Sequence, residues 1–228
     1  MNLFLQILIG FFIADIMGGI LHWGEDTYLD YCIDVPILSG IAKDNELHHY
    51  FPRSMLAYSY FEHMTVSLPV TLSILLILYF TNKSILVKYP YLFLSFAFFS
   101  ILSNIFHRFS HMRNCENHYI ISFLQQTGIL CSHEHHSMHH KKIDQKYCVI
   151  SEYNNYLLDS IHFWRCLEYM ILLLTGIEPS RKKSMNDYRS IHNHMHENAK
   201  LECPDTPTKE DVDDLIAKLE RYYHCTKN

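Results

Sequence analysis

At 228 residues the chain is long enough for one sizeable domain, and 49% hydrophobic with 14% aromatic residues fits either a globular protein or a small membrane protein. Lys and Arg number 19 against 24 Asp and Glu, giving a net charge of −5 with histidine neutral. No basic block with interleaved aromatics occurs, which argues against a nucleic-acid partner. The seven cysteines, Cys32, Cys115, Cys131, Cys148, Cys166, Cys203 and Cys225, are odd in number and lack a Cys-x-x-Cys pair, which speaks against a disulfide framework or a cysteine–zinc site.

Residues 3–21 form a nearly continuous apolar stretch interrupted by Gln6 and Asp15, long enough at about 1.5 Å per residue to cross a hydrocarbon core. The stretch has no basic start and no small-residue cleavage site, so it reads as a retained anchor. Asp15 either caps or pairs locally or, as is usual for an ionisable group at that depth, faces a polar site. Leaving this span, His22 and Asp26 form an i,i+4 pair, and His48-His49 adds an adjacent pair that alone reads as loop. His63 alone reads as a packing residue.

Second and third apolar runs cover residues 65–80 and 90–106, which makes about three spans. Where the third ends, His107 and His111 are i,i+4 and project from one helical face. Five of the eight positions 133–140 are then histidine. His136 and His140 share a face if that segment is helical, with His139 one position before. Residues 163–177 are apolar but cut by Arg165 and Glu168, which suits an interfacial or re-entrant segment, and His162 alone reads as packing. Downstream, His192, His194 and His196 alternate in a polar stretch ahead of residues 204–207, the pattern of a linker. Residues 208–223 read as an amphipathic helix, with a Thr208/Asp211 capping box and Val212, Leu215, Ile216, Leu219 and Tyr222 on one face. Core, membrane and partner are all open as its docking surface.

With three spans, His22, His48, His49, His63 and the histidines from His107 to His162 fall on one side of the membrane. Arg108, Arg113, Lys141, Lys142, Lys146, Arg165, Arg181, Lys182 and Lys183 follow the third span and mark that side as cytoplasmic, whereas the opposite loop, residues 81–89, has only Lys83 and Lys88. Neutral imidazole is the commonest transition-metal ligand, and packing alone gives no reason to crowd so many half-polar rings. One four-coordinate ion takes about four protein ligands, so this many imidazoles suit a dinuclear centre. Imidazole serves Zn, Cu, Fe and Ni alike. The position against a membrane favours iron, because O2 activation is the familiar way to attack an unactivated lipid C–H bond. Asp26 and Glu168 either orient imidazoles or are ordinary surface carboxylates.

Two familiar motifs do not fit. His133-Glu134-His135-His136-Ser137 begins like the zinc-protease His-Glu-x-x-His but ends in Ser. Glu46-Leu47-His48-His49 supplies one Glu-x-x-His, where carboxylate-bridged four-helix-bundle centres need two plus further glutamates.

Taken in order, Ala14-Asp15, Leu21-His22-Trp23-Gly24 with Asp26-Thr27, Leu47-His48-His49, Asn104-Ile105-Phe106-His107 through Ser110-His111, and His135-His136-Ser137-Met138-His139-His140 resemble the plasmanylethanolamine desaturases, the lipid desaturase family also called Kua. Tyr147-Cys148, Asn155, and Phe163-Trp164-Arg165 with Glu168 continue the likeness, which runs from about Ala14 to Pro179. The resemblance implies an endoplasmic-reticulum membrane enzyme with two iron ions and O2 as co-substrate. It implies desaturation of the alkyl ether chain of a plasmanyl phospholipid to the vinyl ether of a plasmalogen, with electrons from cytochrome b5. As metal ligands it implies His22, His48, His49, His107, His111, His136, His139 and His140, with His135 matching a further family histidine. Asp15, Asp26, Asn155 and Glu168 then orient ligands or the substrate head group. This chain departs from the family where Phe51 precedes Pro52, in place of an acidic residue, and where His63 follows Phe61-Glu62, in place of asparagine.

The expected fold is all-α: an integral membrane protein with about three transmembrane helices and a cytosolic histidine-rich helical cap. Residues 1–180 form the lipid desaturase domain and residues 181–228 a polar extension. The rival readings are a fatty acyl or sphingoid desaturase or hydroxylase, and a non-catalytic metal-binding membrane protein.

Overall fold

A computed structural model describes residues 1–179 and 207–223, and the regular structure among them is entirely helical. The sequence-predicted linker histidines His192, His194 and His196, together with Cys203, Cys225 and the basic residues 181–183, lie outside the described residues. The described residues form two compact units, one of residues 1–22 and 59–163, the other of residues 23–58 and those from 164 onward.

Helix α1 is Leu3–Tyr28, and α3 is Tyr60–Lys88; both are long and apolar enough to cross a membrane. The α3 start lies ahead of the expected apolar run because Ser59 and Glu62 form a reciprocal capping box. Asn82 kinks α3 near its end (φ −152°, ψ 61°), and Pro90 opens the next helix. The expected third span is broken in two: α4, Pro90–Ile101, and α5, Ser103–His111, meet at 44°. The break at Leu102 lies beside polar side chains that turn to α3, where Ser103 Oγ is 3.2 Å from Ser67 Oγ and Asn104 Nδ2 donates to Ser67 Oγ at 3.0 Å. Hydroxyl and amide groups in an apolar run satisfy themselves across helices, and a uniform hydropathy reading misses the bend they accompany.

Shorter helices complete this unit: α6, Tyr119–Gln126, α7, His133–Lys141, and α8, Tyr153–Ser160. Its apolar core is Ala14, Phe96, Leu130 and Ile150, with Phe11, Met17, Phe99 and Phe106 packed around. Asp15 is fully buried and accepts from Ile150 N (2.9 Å), Ser151 Oγ (2.7 Å) and Asn154 Nδ2 (2.9 Å), so one carboxylate on α1 ties down the segment leading into α8. Three donors are what a buried carboxylate needs in place of water.

In the second unit, α2, Pro36–Tyr50, starts at a proline and stops at Phe51, ahead of Pro52 and a 3-10 turn, Pro52–Ala57. Helix α9 is Phe163–Thr175, at 13 residues short for a span. Helix α10, Lys209–Tyr223, is capped by Thr208, whose Oγ1 accepts from Asp211 N while Asp211 Oδ2 accepts from Thr208 N (2.7 Å). Val212, Leu215 and Leu219 of α10 pack with Tyr31, Leu47, Tyr50 and Phe51 in one apolar cluster. The Tyr222 side chain lies outside the described ones. Cys115, Cys131, Cys148 and Cys166 are free thiols, whereas Cys32 is disulfide-bonded. That bond departs from the expectation drawn from cysteine count and spacing, because pairing depends on which Cβ atoms approach in space.

Gly10 lets α1 and α4 touch: a Cβ built there meets Leu92 O at 2.4 Å and Ser95 Cβ at 2.8 Å. Ser95 Oγ donates to Ile7 O at 2.8 Å across the same contact. Replacing Gly10 by Val is expected to force the helices apart and destabilise the fold by about 1–3 kcal/mol, as overpacking does. Thermal unfolding in detergent reads the loss; an unchanged midpoint would contradict this close approach.

Candidate metal centre

Helix α7 begins at Ser132, whose Oγ accepts from His135 N at 3.1 Å and donates to Glu152 Oε1 at 2.6 Å. Gly128 (φ 72°) supplies the left-handed turn that brings the chain from α6 toward this cap. The helix so started packs on α5. It aligns His136, His139 and His140 with His107 and His111, each pair of turns spaced i,i+3 or i,i+4.

Four ring nitrogens meet there. His107 Nε2 lies 3.1 Å from His111 Nε2 and 2.8 Å from His136 Nε2, and His136 Nε2 lies 3.0 Å from His140 Nε2. The ligand atoms of His107, His111 and His136 fall within 4.8 Å of one another. A neutral imidazole has one N–H and one lone pair, so a nitrogen with two such neighbours cannot satisfy both by hydrogen bonding. The chain of three contacts among four nitrogens therefore brings lone pairs together, an arrangement that a cation stabilises and hydrogen bonding does not. Burial, reinforced by the rings of His107, His111, His140 and His139, holds His136 well below the usual imidazole range. It is thus neutral, the form in which imidazole ligates.

His22 and His139 form the other part of this unit's cluster, with ring centroids 4.6 Å apart. His22 Nδ1 donates to Tyr147 O (3.1 Å) and His139 Nδ1 to Gln145 O (2.7 Å). A carbonyl oxygen only accepts, so each Nδ1 carries the proton and each Nε2 is left with a lone pair for a metal.

A separate histidine pair belongs to the second unit. His48 Nδ1 donates to Asn45 O at 2.5 Å, which again leaves Nε2 as the ligating atom. His49 Nε2 lies 2.9 Å from Asp26 Oδ1, which also accepts from Asn45 Nδ2 at 2.8 Å. Both histidines are buried, and their rings lie 4.4 Å apart. The Glu46 carboxylate accepts from Tyr50 OH (2.8 Å) and Tyr223 OH (2.6 Å).

Among the described residues, His135 is not gathered with the others. Its Nε2 meets Asn155 Nδ2 at 3.3 Å and its Nδ1 lies 3.4 Å from Glu152 Oε2. Burial, with Lys146 adding to it, lowers its pKa to about 4 against the opposing pull of Glu152. Asn155 also holds Cys148 N (2.9 Å) and Cys148 O (2.8 Å), so it pins the strap that carries the Tyr147 carbonyl. Asp15 anchors the same strap at residues 150–154. Glu168 accepts from Trp23 Nε1 (3.3 Å) and Arg165 NH1 (2.9 Å), a contact that ties α9 to the end of α1 within the second unit. His63 is buried on α3.

Sequence reasoning missed Glu152 and the carbonyls of Asn45, Gln145 and Tyr147. Every residue has a carbonyl, so no residue type signals which one will hold an imidazole. Glu152 stands 20 residues from the cap it serves, a separation with no local pattern.

A lipid desaturase domain matches residues 11–182. A probable fatty acid desaturase of Acanthamoeba polyphaga mimivirus is 31% identical over 185 residues, covering 79% of this chain and 88% of the relative. Plasmanylethanolamine desaturase 1 of Mus musculus is 29% identical over 184 residues (77% of this chain, 67% of the relative), and the plasmanylethanolamine desaturase of Myxococcus xanthus is 27% identical over 179 residues (76% and 62%). No solved structure matches. With three quarters of its length matched by the domain, the chain belongs to the lipid desaturase family.

Proposed function

We propose that the chain is an O2-dependent di-iron lipid desaturase that converts the alkyl ether chain of plasmanylethanolamine to the vinyl ether of a plasmalogen. The observation that carries this reading is the convergence of the His107, His111, His136 and His140 nitrogens, whose buried, all-nitrogen donor set suits a first-row transition metal. His22, His48, His49, His107, His111, His136, His139 and His140 are the proposed ligands. Iron held by these residues would supply the O2 chemistry of the overall reaction, in which one hydrogen from each of two adjacent methylenes beside the ether oxygen, two electrons from a cytochrome b5-type donor and two protons reduce O2 to two waters.

The chain's own residues orient and shield. Carbonyls of Tyr147, Gln145 and Asn45 fix the imidazole tautomers, while Asn155 and Asp15 hold the 147–155 strap. Asp26 orients His49. The apolar helices hold the substrate's hydrocarbon in the bilayer and keep water from the histidines. The basic residues after α5 support a cytosolic histidine face, and the proposed membrane is of the endoplasmic-reticulum type. A fatty acyl chain is the second reading, favoured by the 31% identity to the viral protein named as a probable fatty acid desaturase.

Cells lacking endogenous plasmalogen desaturase, given this chain, are expected to gain acid-labile vinyl ether phospholipid, and His136→Ala or His140→Ala is expected to abolish it. New acyl double bonds without vinyl ether would transfer the assignment to the acyl substrate. No product from a well-expressed, iron-loaded parent would sink both.

Elemental analysis of purified protein is expected to give about two irons per chain. His107→Ala and His111→Ala should each lower that content; zinc in place of iron, with no O2 consumption, would favour the non-catalytic reading.

The metal-free protein should also be acid-sensitive. His136 is held neutral in the fold but titrates near 6.5 when unfolded, so stability is whole above about pH 6.5 and is lost as pH falls toward the lower folded value. Unfolding midpoints in chelator should therefore drop between pH 7.5 and pH 5, and a flat profile would count against a buried neutral cluster.

A further inference from the structure

The helix α10 lies beyond residues 11–182 that match the lipid desaturase domain, yet it packs on the helix that carries His48 and His49. Helix α2 presents two faces at helical spacing. Asn45, His48 and His49 lie on one, bonded to each other and to Asp26. Lys43, Glu46, Leu47 and Tyr50, at i, i+3, i+4 and i+7, lie on the other, and all four meet α10.

The contacts are both apolar and polar. Leu47 and Tyr50 are buried with Val212, Leu215 and Leu219, the last fully enclosed. Tyr223 OH donates to Glu46 Oε1 at 2.6 Å, Lys43 Nζ donates to Glu220 Oε1 at 2.5 Å, and Tyr31 OH donates to Ile216 O at 3.2 Å with the Tyr31 and Tyr223 rings stacked at 4.6 Å. The histidines sit in the last turn of a 15-residue helix that ends at Phe51. A last turn frays unless tertiary contacts hold it, and a helix of this length is marginal alone.

We propose that α10 is a built-in brace for the C-terminal turn of α2, holding His48 and His49 in the conformation that takes up metal. The proposal rests on the metal centre argued above, and it makes α10 residues positioning residues. Removing the brace exposes Leu47, Tyr50 and Phe51 and frees the turn that carries both imidazoles.

Hydrogen–deuterium exchange of the metal-free full-length chain tests the brace without reference to iron. In Leu219→Asp, the amides of residues 47–50 should exchange roughly tenfold faster or more, while residues 133–141 keep the parent rate, as expected for a local opening. Tyr223→Phe, which removes one hydroxyl and keeps the ring, should give a smaller rise at the same amides and is decisive if Leu219→Asp does not fold. Iron content after anaerobic loading should fall in step with the exchange. Parent-like exchange at residues 47–50 in both variants overturns the brace, and so does faster exchange with parent-level iron. If the parent itself takes up no iron, the metal-centre reading fails, while the exchange result still decides whether α10 holds α2.

Discussion

Several buried imidazoles with their ring nitrogens turned toward one another form an arrangement that nothing in an apolar interior favours by itself. Each ring brings a polar nitrogen out of water, and the nitrogens compete for too few protons. The pairing of α5 with α7 imposes this on His107, His111, His136 and His140, so the surrounding structure must hold the rings in place without metal-independent gain from their contacts. A metal cation repays that convergence, and the crowded nitrogens that make the cluster awkward make it ready to ligate.

The supports are of a single kind. Backbone carbonyls of Tyr147, Gln145 and Asn45 each take an Nδ1 proton and so aim an Nε2 lone pair. The Tyr147 carbonyl is itself held by its strap: Asn155 bridges both sides of Cys148, and Asp15 spends its carboxylate on the backbone and side chains of residues 150–154. An ionisable residue within an apolar helix thus acts on the cluster through a strap of chain. That arrangement explains why Asp15 is tolerated at such depth in α1.

The second unit solves a different problem. Its histidines stand at a helix end, where backbone hydrogen bonding is weakest, and they are bonded to Asp26 and Asn45 on one side. The opposite face of α2 is covered by α10, a helix outside the family match, through buried leucines and a tyrosine–glutamate contact. A chain that adds such a helix couples a stretch with no ligand of its own to the geometry of the pair.

The sequence by itself determined the all-helical class, the apolar runs and the histidine spacing, because hydropathy and i,i+4 periodicity are local properties that survive any packing. It also marked the Thr208–Asp211 cap, which depends on four consecutive residues. Only the tertiary structure decided that the third apolar run bends at Leu102, where Ser103 and Asn104 find Ser67 on another helix. It likewise turned His135 away toward Asn155 and Glu152, although its neighbour His136 points into the cluster, since adjacent residues on a helix leave it about 100° apart. Glu46 was drawn to Tyr50 and Tyr223, and the carbonyls that aim the imidazoles came from residues chosen by backbone path and not by side chain. A hydrogen bond across a hundred residues leaves no trace in local spacing, and the orientation of His22 by the Tyr147 carbonyl depends on such a bond.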